Sequence, residues 1–255
     1  MAPGCLQMKT ISFCLFMLFA FSVKADISAN ALIDKMEKLL WAQTNEGEIT
    51  MIIETPYWRR TLDLRVWMDR PRNTFIRVLS PKKERGISSL RKGNEMWNYI
   101  PKIDRVVKIP PSMMLQPWMG SDFSNDDLVK ESSLLMDYTH QFDDSGPAET
   151  KGLLRIVSTP KPDSAVVWGR IESWINAASG IPKKQLYFDD SGTAVKELLF
   201  LEVDNMDGRA IPTLWVMRPL DEEGKRTKIK IKKMTFDQPM NQQLFTARNL
   251  RSLDW

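Results

Sequence analysis

Cysteine and histidine are almost absent from this sequence of 255 residues. It contains two cysteines, Cys5 and Cys14, and one histidine, His140. Both cysteines precede residue 26, so the remainder of the chain has no disulfide bond to form. Because zinc sites of proteins are built largely from cysteine and histidine, the composition argues against a metal of that type. We predict that the protein binds neither a metal nor a cofactor.

Recognisable enzyme signatures are also missing. The chain has no G-x-S-x-G motif, no P-loop and no Rossmann fingerprint. The pattern MDYTHQFDD places His140 on a predicted strand with Tyr138 and Phe142 on the same face, as a structural or surface residue. We predict that the protein is not an enzyme. A hydrolase that uses carboxylates alone stays open, because the distance between two carboxylates depends on the fold.

The chain has little excess charge outside its first 25 residues. The formal net charge is +4, and residues 26–255 hold 34 basic and 32 acidic side chains. Proteins that bind nucleic acids need a surplus of lysine and arginine to contact phosphates. We therefore expect no nucleic-acid partner.

Residues 1–25 have the features of a secretory signal peptide. Lys9 and Thr10 precede the apolar run ISFCLFMLFAFSV, and Val23 and Ala25 are small residues at a signal peptidase site. The apolar run is shorter than a typical transmembrane helix. An uncleaved membrane anchor is the alternative to a signal peptide. We predict cleavage after Ala25, a domain over residues 26–255 without a lipid anchor, and a periplasmic location, where disulfide bonds are not obligatory.

The remainder of the chain is predicted to be one helix followed by β structure. SANALIDKMEKLLWAQ (28–43) has apolar residues at helical spacing behind Ser28, a candidate N-cap. In TLDLRVWM (61–68) apolar and polar residues alternate, which is typical of a strand with one buried face. The predicted strands are 48–55, 59–69, 73–80, 86–92, 94–101, 105–110, 153–159, 166–176, 182–189, 194–203, 210–219 and 225–236.

Short connections between these segments predict antiparallel neighbours in a single domain. About a dozen such strands in one run indicate a strongly twisted sheet, either a closed barrel or an open half-barrel. Further helices are expected at about 125–131 and from about 241. Ile229 and Ile231 lie in one phase of the last strand and Met234 and Phe236 in the other, which predicts a β-bulge near Lys232 and Lys233.

Three parts of the sequence together resemble a known family: residues 64–128, the turn YFDDSG (187–192) and LFTARNL (244–250). MGSDFSNDDL (119–128) is the most specific of them. They resemble the outer membrane lipoprotein-sorting protein-like family of the LolA/LolB-like superfamily. The resemblance implies a mainly β, α+β fold: a single, strongly curved antiparallel sheet that forms an incomplete β-barrel, with helices covering its concave side around an apolar cavity.

The same resemblance implies a function in the cell envelope. Characterised members of the superfamily carry lipoprotein acyl chains or other lipids across the periplasm, and related folds serve in envelope-stress sensing. Some members of this branch are associated with large export transporters. The resemblance leaves the ligand of this chain open.

Methionine and tryptophan are numerous, with 15 and 9 residues respectively. Both side chains form adaptable apolar walls, and each methylene buried against such walls contributes roughly 0.8 kcal/mol. We predict that some of them line an apolar ligand cavity; packing in an ordinary core is the alternative for each. The candidates on strands are Trp67, Trp97 and Trp174, of which Trp67 occupies the otherwise polar phase of its strand.

The segment SMMLQPWMGSDFSNDDL (112–128) is predicted to be a lid over the mouth of the barrel. Pro117 prevents one long regular helix. The alternative is a loop that fills the core of the barrel permanently. The side chains predicted to contact a ligand are Met113, Met114, Leu115, Trp118, Met119 and Phe123.

The acidic half of this segment has a local explanation. Ser124 and Asp127 have the spacing of a capping box that begins a helix. A calcium site is the alternative, but no glycine-centred ligand loop accompanies these aspartates. The capping box does not explain Asp122. An arginine such as Arg91 or Arg105 is its expected partner.

Basic clusters occur at Arg59-Arg60, at 82–85, at Lys183-Lys184 and in KRTKIKIKK (225–233). They are interpreted as solvated faces, with contact to anionic lipid headgroups or an acidic partner as the alternatives.

We predict a monomeric, non-enzymatic periplasmic carrier or chaperone that holds lipid or lipoprotein acyl chains. An inner-membrane transporter or an outer-membrane acceptor are its candidate protein partners. The alternative is an adaptor or sensor that docks an inner-membrane transporter or an envelope-stress protein and has no cargo of its own.

Overall fold

A computed structural model describes residue 1 and residues 27–71, 73–93, 95–129, 134–143, 152–164 and 166–252. The predicted signal segment lies outside these residues apart from Met1. Within the described ranges, no helix has both the length and the apolar character needed to span a membrane.

Over the described residues, the chain forms one α-helix, six strands, a segment with two short α-helices, seven more strands and a last short α-helix. The helices are α1 (Ala29–Leu40), α2 (Asn125–Val129), α3 (Leu134–Asp137) and α4 (Ala247–Arg251). The first strands are β1 (Thr44–Glu54), β2 (Arg59–Asp69), β3 (Asn73–Ser80), β4 (Ser88–Lys92), β5 (Glu95–Ile100) and β6 (Arg105–Ile109). The others are β7 (Tyr138–Phe142), β8 (Leu153–Pro160), β9 (Arg170–Asn176), β10 (Pro182–Phe188), β11 (Ala194–Met206), β12 (Arg209–Pro219) and β13 (Arg226–Phe236).

All 13 strands belong to one antiparallel sheet in the order β6-β5-β4-β3-β2-β1-β13-β12-β11-β10-β9-β8-β7. The sheet is strongly curved but not closed, and helices cover its concave side, so the predicted fold class is confirmed. The two edge strands, β6 and β7, are consecutive in the chain. The connection between them, residues 110–137, therefore has to pass from one edge of the sheet to the other.

Alternation along the strands produces two apolar faces. On the concave side Leu62, Leu64 and Val66 of β2 belong to the same buried cluster as Leu32 and Met36 of α1. Helix α1 begins at the predicted cap, where the amide of Ala31 donates to Ser28 Oγ (3.2 Å).

The outer face of the sheet has a second buried cluster, because α4 packs against β4 and β5 there. Its members are Trp67, Phe75, Leu90, Tyr99, Phe245 and Leu250. Arg77 lies beside this cluster and donates from Nη2 to the carbonyl oxygen of Asn249 (2.7 Å). Cations at the carboxyl end of a helix complement its unpaired carbonyl groups, which explains why a buried arginine is tolerated on this face.

The predicted bulge in the last strand is confirmed. Glu48 of β1 pairs with Lys233, and the next residue, Ile49, pairs with Ile231, so Lys232 is the extra residue. Gly47 lies beside this bulge, where a Cβ atom would collide with the carbonyl oxygen of Lys233.

Several predicted boundaries were wrong. Strand β1 begins at Thr44 rather than 48, and β9 begins at Arg170 rather than 166. The helix expected from about 241 is present as a 3₁₀ turn, Gln242–Leu244, which Asn241 caps and α4 follows. Residues 166–168 are instead unpaired and line a cavity, so their apolar character reflects burial rather than strand pairing. The predicted helix at 125–131 corresponds to α2, and its last two positions lie outside the described residues.

Candidate functional site

The concave side of the sheet encloses a cavity of about 200 Å³ between α1, α2 and strands on both sides of β1. A single buried water needs only about 10–15 Å³ of such space, so this cavity is far larger than a packing defect. Its walls are mostly apolar and include Met36, Leu40, Trp41, Val66, Phe123, Trp168, Leu198, Phe200, Trp215, Met217 and Ile231.

Aromatic side chains organise one wall of the cavity. The ring of Trp215 lies 5.3 Å from that of Trp41 and 5.2 Å from that of Phe200, edge to face in both cases. The indole N–H of Trp215 donates to the carbonyl oxygen of Pro212 (2.8 Å). Its only polar atom is thus paired, and the ring presents an apolar face to the cavity.

The cavity occupies only part of the concave interior. Val66 and Met68 of β2 line it, whereas Leu62 and Leu64 of the same strand do not. Residues 114–123, which we call the plug, contribute side chains to the inner buried cluster that also contains Leu62 and Leu64. Trp118 and Phe123 of the plug belong to the inner buried cluster, and Met114 and Met119 pack against it.

Three hydrogen-bonded contacts hold the plug against the sheet. Trp118 Nε1 donates to Ser89 Oγ (3.0 Å), and Arg60 Nη1 donates to the carbonyl oxygen of Met119 (2.8 Å). At the far end, Thr227 Oγ1 donates to Asp122 Oδ2 (2.7 Å). The plug is therefore fastened to β2, β4 and β13 at once.

The prediction that Asp122 pairs with an arginine such as Arg91 or Arg105 was wrong. Besides Thr227, its carboxylate has Lys225 Nζ at 3.6 Å. Burial raises the pKa of Asp122, and Thr227 and Lys225 partly oppose that shift. The partners lie on β13 and the turn before it, about a hundred residues away along the chain, so sequence spacing alone did not indicate them.

Asp127 has two roles at the beginning of α2. The amide of Ser124 donates to Asp127 Oδ2 (2.7 Å) and the amide of Asp127 donates to Ser124 Oγ (3.0 Å), which are the two hydrogen bonds of a capping box. The same Oδ2 accepts from Lys196 Nζ at 2.5 Å. Only 8% of the Lys196 side chain and 12% of the Asp127 side chain are exposed.

Aromatic rings surround this ion pair. Lys196 Nζ lies 4.5 Å from the ring centroid of Trp168 and 5.2 Å from that of Tyr187. Tyr187 donates to Gln185 Oε1 (3.0 Å), and burial raises the pKa of its hydroxyl. Asp127, Trp168 and Tyr187 all line the cavity, so this end of the cavity is polar but internally paired.

The opposite end of the cavity has a second paired group, Glu37 of α1. Glu37 Oε1 accepts from the amide of Leu134 (2.6 Å), and Oε2 lies 3.6 Å from Arg70 Nη2. Arg70 Nη1 in turn donates to the carbonyl oxygen of Trp41 (3.1 Å). Glu37 and Asp127, at opposite ends of the cavity, therefore have protein partners, and the walls between them are mostly apolar.

Comparisons with known proteins agree with this architecture. The model of a family of uncharacterized proteins matches residues 71–252. A DUF1329 family protein from Desulfovibrio piger superposes with a TM-score of 0.77 at 20% identity, over 87% of this chain and 97% of that one. The chain belongs to the family of that model, and it shares the fold of LolA superfamily proteins of known structure.

Two further solved structures show the same fold. A LolA superfamily protein from Nitrosomonas europaea has a TM-score of 0.75 at 18% identity, over 88% of this chain and 99% of that one. A proposed outer membrane lipoprotein-sorting protein domain from Vibrio parahaemolyticus has a TM-score of 0.75 at 17% identity, over 88% and 98%. Among curated proteins, none is similar enough in sequence to count as a relative.

The structure of this LolA-like chain separates the predicted site residues into three groups. Phe123 lines the cavity. Met114, Trp118 and Met119 lie in the plug, whereas Leu115 of the plug and Met113 just before it are exposed. Trp67 and Trp97 lie in the outer cluster under α4, on the other face of the sheet from the cavity.

Trp174 also points away from the cavity. Its strand neighbours Ile171 and Ile175 lie in the inner cluster, and Trp174 has the opposite phase. Its ring instead lies 4.1 Å from Lys184 Nζ. The sequence did indicate that these side chains point away from the cavity, because Trp67 and Trp174 both occur in the polar phase of their strands. Among the cavity residues that sequence reasoning missed, Leu198, Phe200, Trp215 and Met217 occupy the apolar phase.

His140 is half-buried on β7, with both ring nitrogens in hydrogen-bonding contact. Nε2 lies 3.1 Å from the carbonyl oxygen of Leu134, and Nδ1 lies 2.8 Å from Ser158 Oγ. A carbonyl oxygen only accepts, so Nε2 carries the proton and the Ser158 hydroxyl donates to Nδ1. Burial lowers the pKa of His140 below its ordinary value of 6.5, against the opposing effect of the Leu134 hydrogen bond.

We expect this histidine to make folding stability pH-dependent. The unfolded chain takes up the proton first as the pH falls below about 6.5, so the contribution of neutral His140 is present above that pH and is lost as the pH falls through its folded pKa. Urea unfolding of wild type at pH 7.5 and 5.5 should show a decrease in the free energy of unfolding. His140→Gln, whose side chain can still donate to the carbonyl oxygen of Leu134, should show a smaller decrease in the free energy of unfolding. Equal decreases in the two proteins would show that the pH dependence does not come from His140.

Proposed function

We propose that this LolA-like protein is a non-enzymatic periplasmic carrier that holds the acyl chain of a lipid or lipoprotein in the cavity. The observation that carries the proposal is a mostly apolar cavity of about 200 Å³ in which the carboxylates of Asp127 and Glu37 are paired within the protein. Such a cavity offers a ligand few hydrogen bonds but much apolar contact, which is what an acyl chain requires. The signal-like residues 1–25 support the periplasmic location.

The energetics of the cavity favour a chain of methylene groups. Each buried methylene contributes roughly 0.8 kcal/mol, so ten of them contribute on the order of 8 kcal/mol before the cost of immobilising the ligand. Methionines at 36, 217 and 234 and the rings of Trp41 and Trp215 contribute to the walls. Methionine side chains adapt to irregular shapes, so the walls can fit chains of different length and branching.

In this proposal the plug limits the length of chain that the cavity accepts. Trp118 and Phe123 belong to the same inner cluster as Val66, and Phe123 and Val66 both line the cavity. A ligand longer than the cavity would contact Met114, Trp118 and Met119 only after displacing the plug from Ser89, Arg60 and Thr227. The plug therefore combines the two sequence-based alternatives, a lid over the ligand and a loop that fills the core.

A lipid inventory tests the proposal directly. Protein purified from the periplasm is extracted and its lipids are identified by mass spectrometry. We expect acyl-containing amphiphiles in amounts comparable to the protein. A purified protein that is free of amphiphile and does not bind added fatty acid would contradict the proposal.

A cavity-blocking pair of variants links binding to the cavity. Leu198 of β11 lines the cavity, whereas the next residue, Leu199, points to the outer face. Leu198→Trp should fill the cavity and weaken binding of a fluorescent fatty acid by about tenfold or more, because several methylene contacts are lost. Leu199→Trp adds the same side chain outside the cavity and should bind like wild type, as measured by fluorescence titration. Equal affinities in the two variants would place the ligand elsewhere.

A further inference from the structure

Three loops meet at one end of the half-barrel, on the side formed by β1 to β6. Each strand from β1 to β5 pairs antiparallel with the strand that follows it. The β1–β2, β3–β4 and β5–β6 connections therefore lie at the same end of the sheet. We call this region the basic tip and define it as residues 55–60, 81–87 and 101–105.

The basic tip exposes large apolar side chains. Tyr57 is 93% exposed, Trp58 46% and Ile103 58%. The turn that carries the two aromatic rings is well ordered by hydrogen bonds: the amide of Thr55 donates to the carbonyl oxygen of Trp58 (2.9 Å), and the amide of Trp58 donates to Thr55 Oγ1 (3.1 Å). Since the backbone of the turn is closed by these bonds, the two rings are held outside the core by the fold.

Positive charge surrounds these rings. The basic tip contains seven lysines and arginines against two acids, Glu84 and Asp104. Glu84 is paired with Arg60 (2.9 Å) and lies 3.8 Å from Lys83, and Arg59 lies 3.5 Å from Glu54. The side chains of Arg59, Lys82, Lys83 and Arg85 are exposed.

The other half of the same end has the opposite charge. The β10–β11 and β12–β13 connections lie there, and residues 189–193 and 220–225 contain five acids and one lysine. On an ordinary solvent-exposed surface, basic and acidic side chains are interspersed. The segregation gives the protein one basic edge that carries exposed aromatic residues and one acidic edge.

We propose that the basic tip docks the protein onto the surface of a membrane rich in anionic phospholipid. Tryptophan and tyrosine favour the headgroup region, where one end of the ring is in apolar and the other in polar surroundings. Lysine and arginine near an anionic surface contribute roughly 1 kcal/mol each. The rings project from loop ends rather than from a flat face, which suits shallow insertion into headgroups better than the surface of an acidic protein.

This docking surface is independent of the proposed cargo. The plug, held by Arg60 and Thr227, lies between the basic tip and the cavity, and Tyr57, Trp58 and Lys82 do not line the cavity. The two proposals can therefore fail separately. Leu198→Trp should lose the fluorescent fatty acid and keep membrane binding.

Vesicle flotation tests the docking proposal with the mature chain. We expect binding to vesicles of phosphatidylcholine mixed with phosphatidylglycerol, little binding to phosphatidylcholine alone, and weaker binding as salt is added. Tyr57→Ser combined with Trp58→Ser should reduce the bound fraction. Lys82→Glu combined with Lys83→Glu should weaken binding by about tenfold or more, from the roughly 1 kcal/mol of each cation.

A matched control makes the same change in charge elsewhere. Lys230 and Lys233 are exposed on β13, and Lys230→Glu combined with Lys233→Glu should bind the mixed vesicles like wild type. Circular dichroism confirms that each variant is folded. Failure of wild type to bind mixed vesicles at low salt, or an equal loss in the control variant, would overturn the proposal. Capture of an acidic protein without vesicle binding would also overturn it.

Discussion

Replacing Asp127 by alanine is expected to lower the free energy of unfolding by about 3–5 kcal/mol, the range for removing one partner of a buried ion pair. The ammonium group of Lys196, 2.5 Å from Asp127 Oδ2 and almost fully buried, would be left without its carboxylate. The variant also loses the cap of α2, which is commonly worth about 0.5–2 kcal/mol. Urea unfolding followed by circular dichroism measures the loss.

Two further variants separate the charge from the cap. Asp127→Asn keeps an oxygen that can accept from the amide of Ser124 but removes the negative charge, so it should lose less than alanine does. Adding Lys196→Met to Asp127→Asn removes the unpaired cation and should restore part of the stability. A double-mutant cycle measures this coupling. If the effects of the two substitutions are simply additive, the ion pair does not stabilise this end of the cavity.

Replacing Trp118 by alanine is expected to cost about 3–5 kcal/mol, the range for truncating a large buried aromatic residue. Trp118 is 2% exposed and its indole nitrogen donates to Ser89 Oγ. The truncation creates a space within the inner cluster, to which Phe123 of the cavity wall also belongs. Trp118→Phe keeps most of the apolar contact but loses the hydrogen bond. The lost bond should lower the free energy of unfolding by about 1 kcal/mol, in addition to the effect of the smaller ring.

The same variant tests the proposed role of the plug in setting chain length. If the plug limits the cavity, Trp118→Ala should bind long-chain fatty acids more tightly relative to short ones than wild type does. Titration with a series of chain lengths measures this ratio. An unchanged ratio in a folded Trp118→Ala protein would show that the plug is only part of the core.

Features that depend on neighbouring residues were predictable from the sequence. The helix α1 and its cap at Ser28, the bulge at Lys232 and the alternation of the strands follow from spacings of a few residues. Turn residues between the strands indicated antiparallel neighbours, and the family resemblance decided between a closed and an open barrel. The single curved sheet was therefore predicted before any tertiary contact was known.

The position of the cavity depended on contacts that a local pattern does not contain. Both faces of β2 to β5 are buried, one under the inner cluster and one under α4. Large apolar residues therefore occur in both phases of these strands, and abundance alone could not assign Trp67 and Trp97 to a face. The phase of a residue along its strand was the better guide. Trp67 shares its phase with the charged residue Arg65, whereas Val66 and Met68 have the opposite phase, so Trp67 points to the outer face.

By itself, the sequence determined the alternation of the strands and the starts of α1 and α2, because hydrophobic periodicity and capping act within a few residues. Only the tertiary structure decided which residues line the cavity and which fill it. The plug is held by Ser89, Arg60 and Thr227, and Asp127 meets a lysine 69 residues away. Such pairs form because the curved sheet brings distant strands to one concave side, and their sequence separation carries no signal of that proximity.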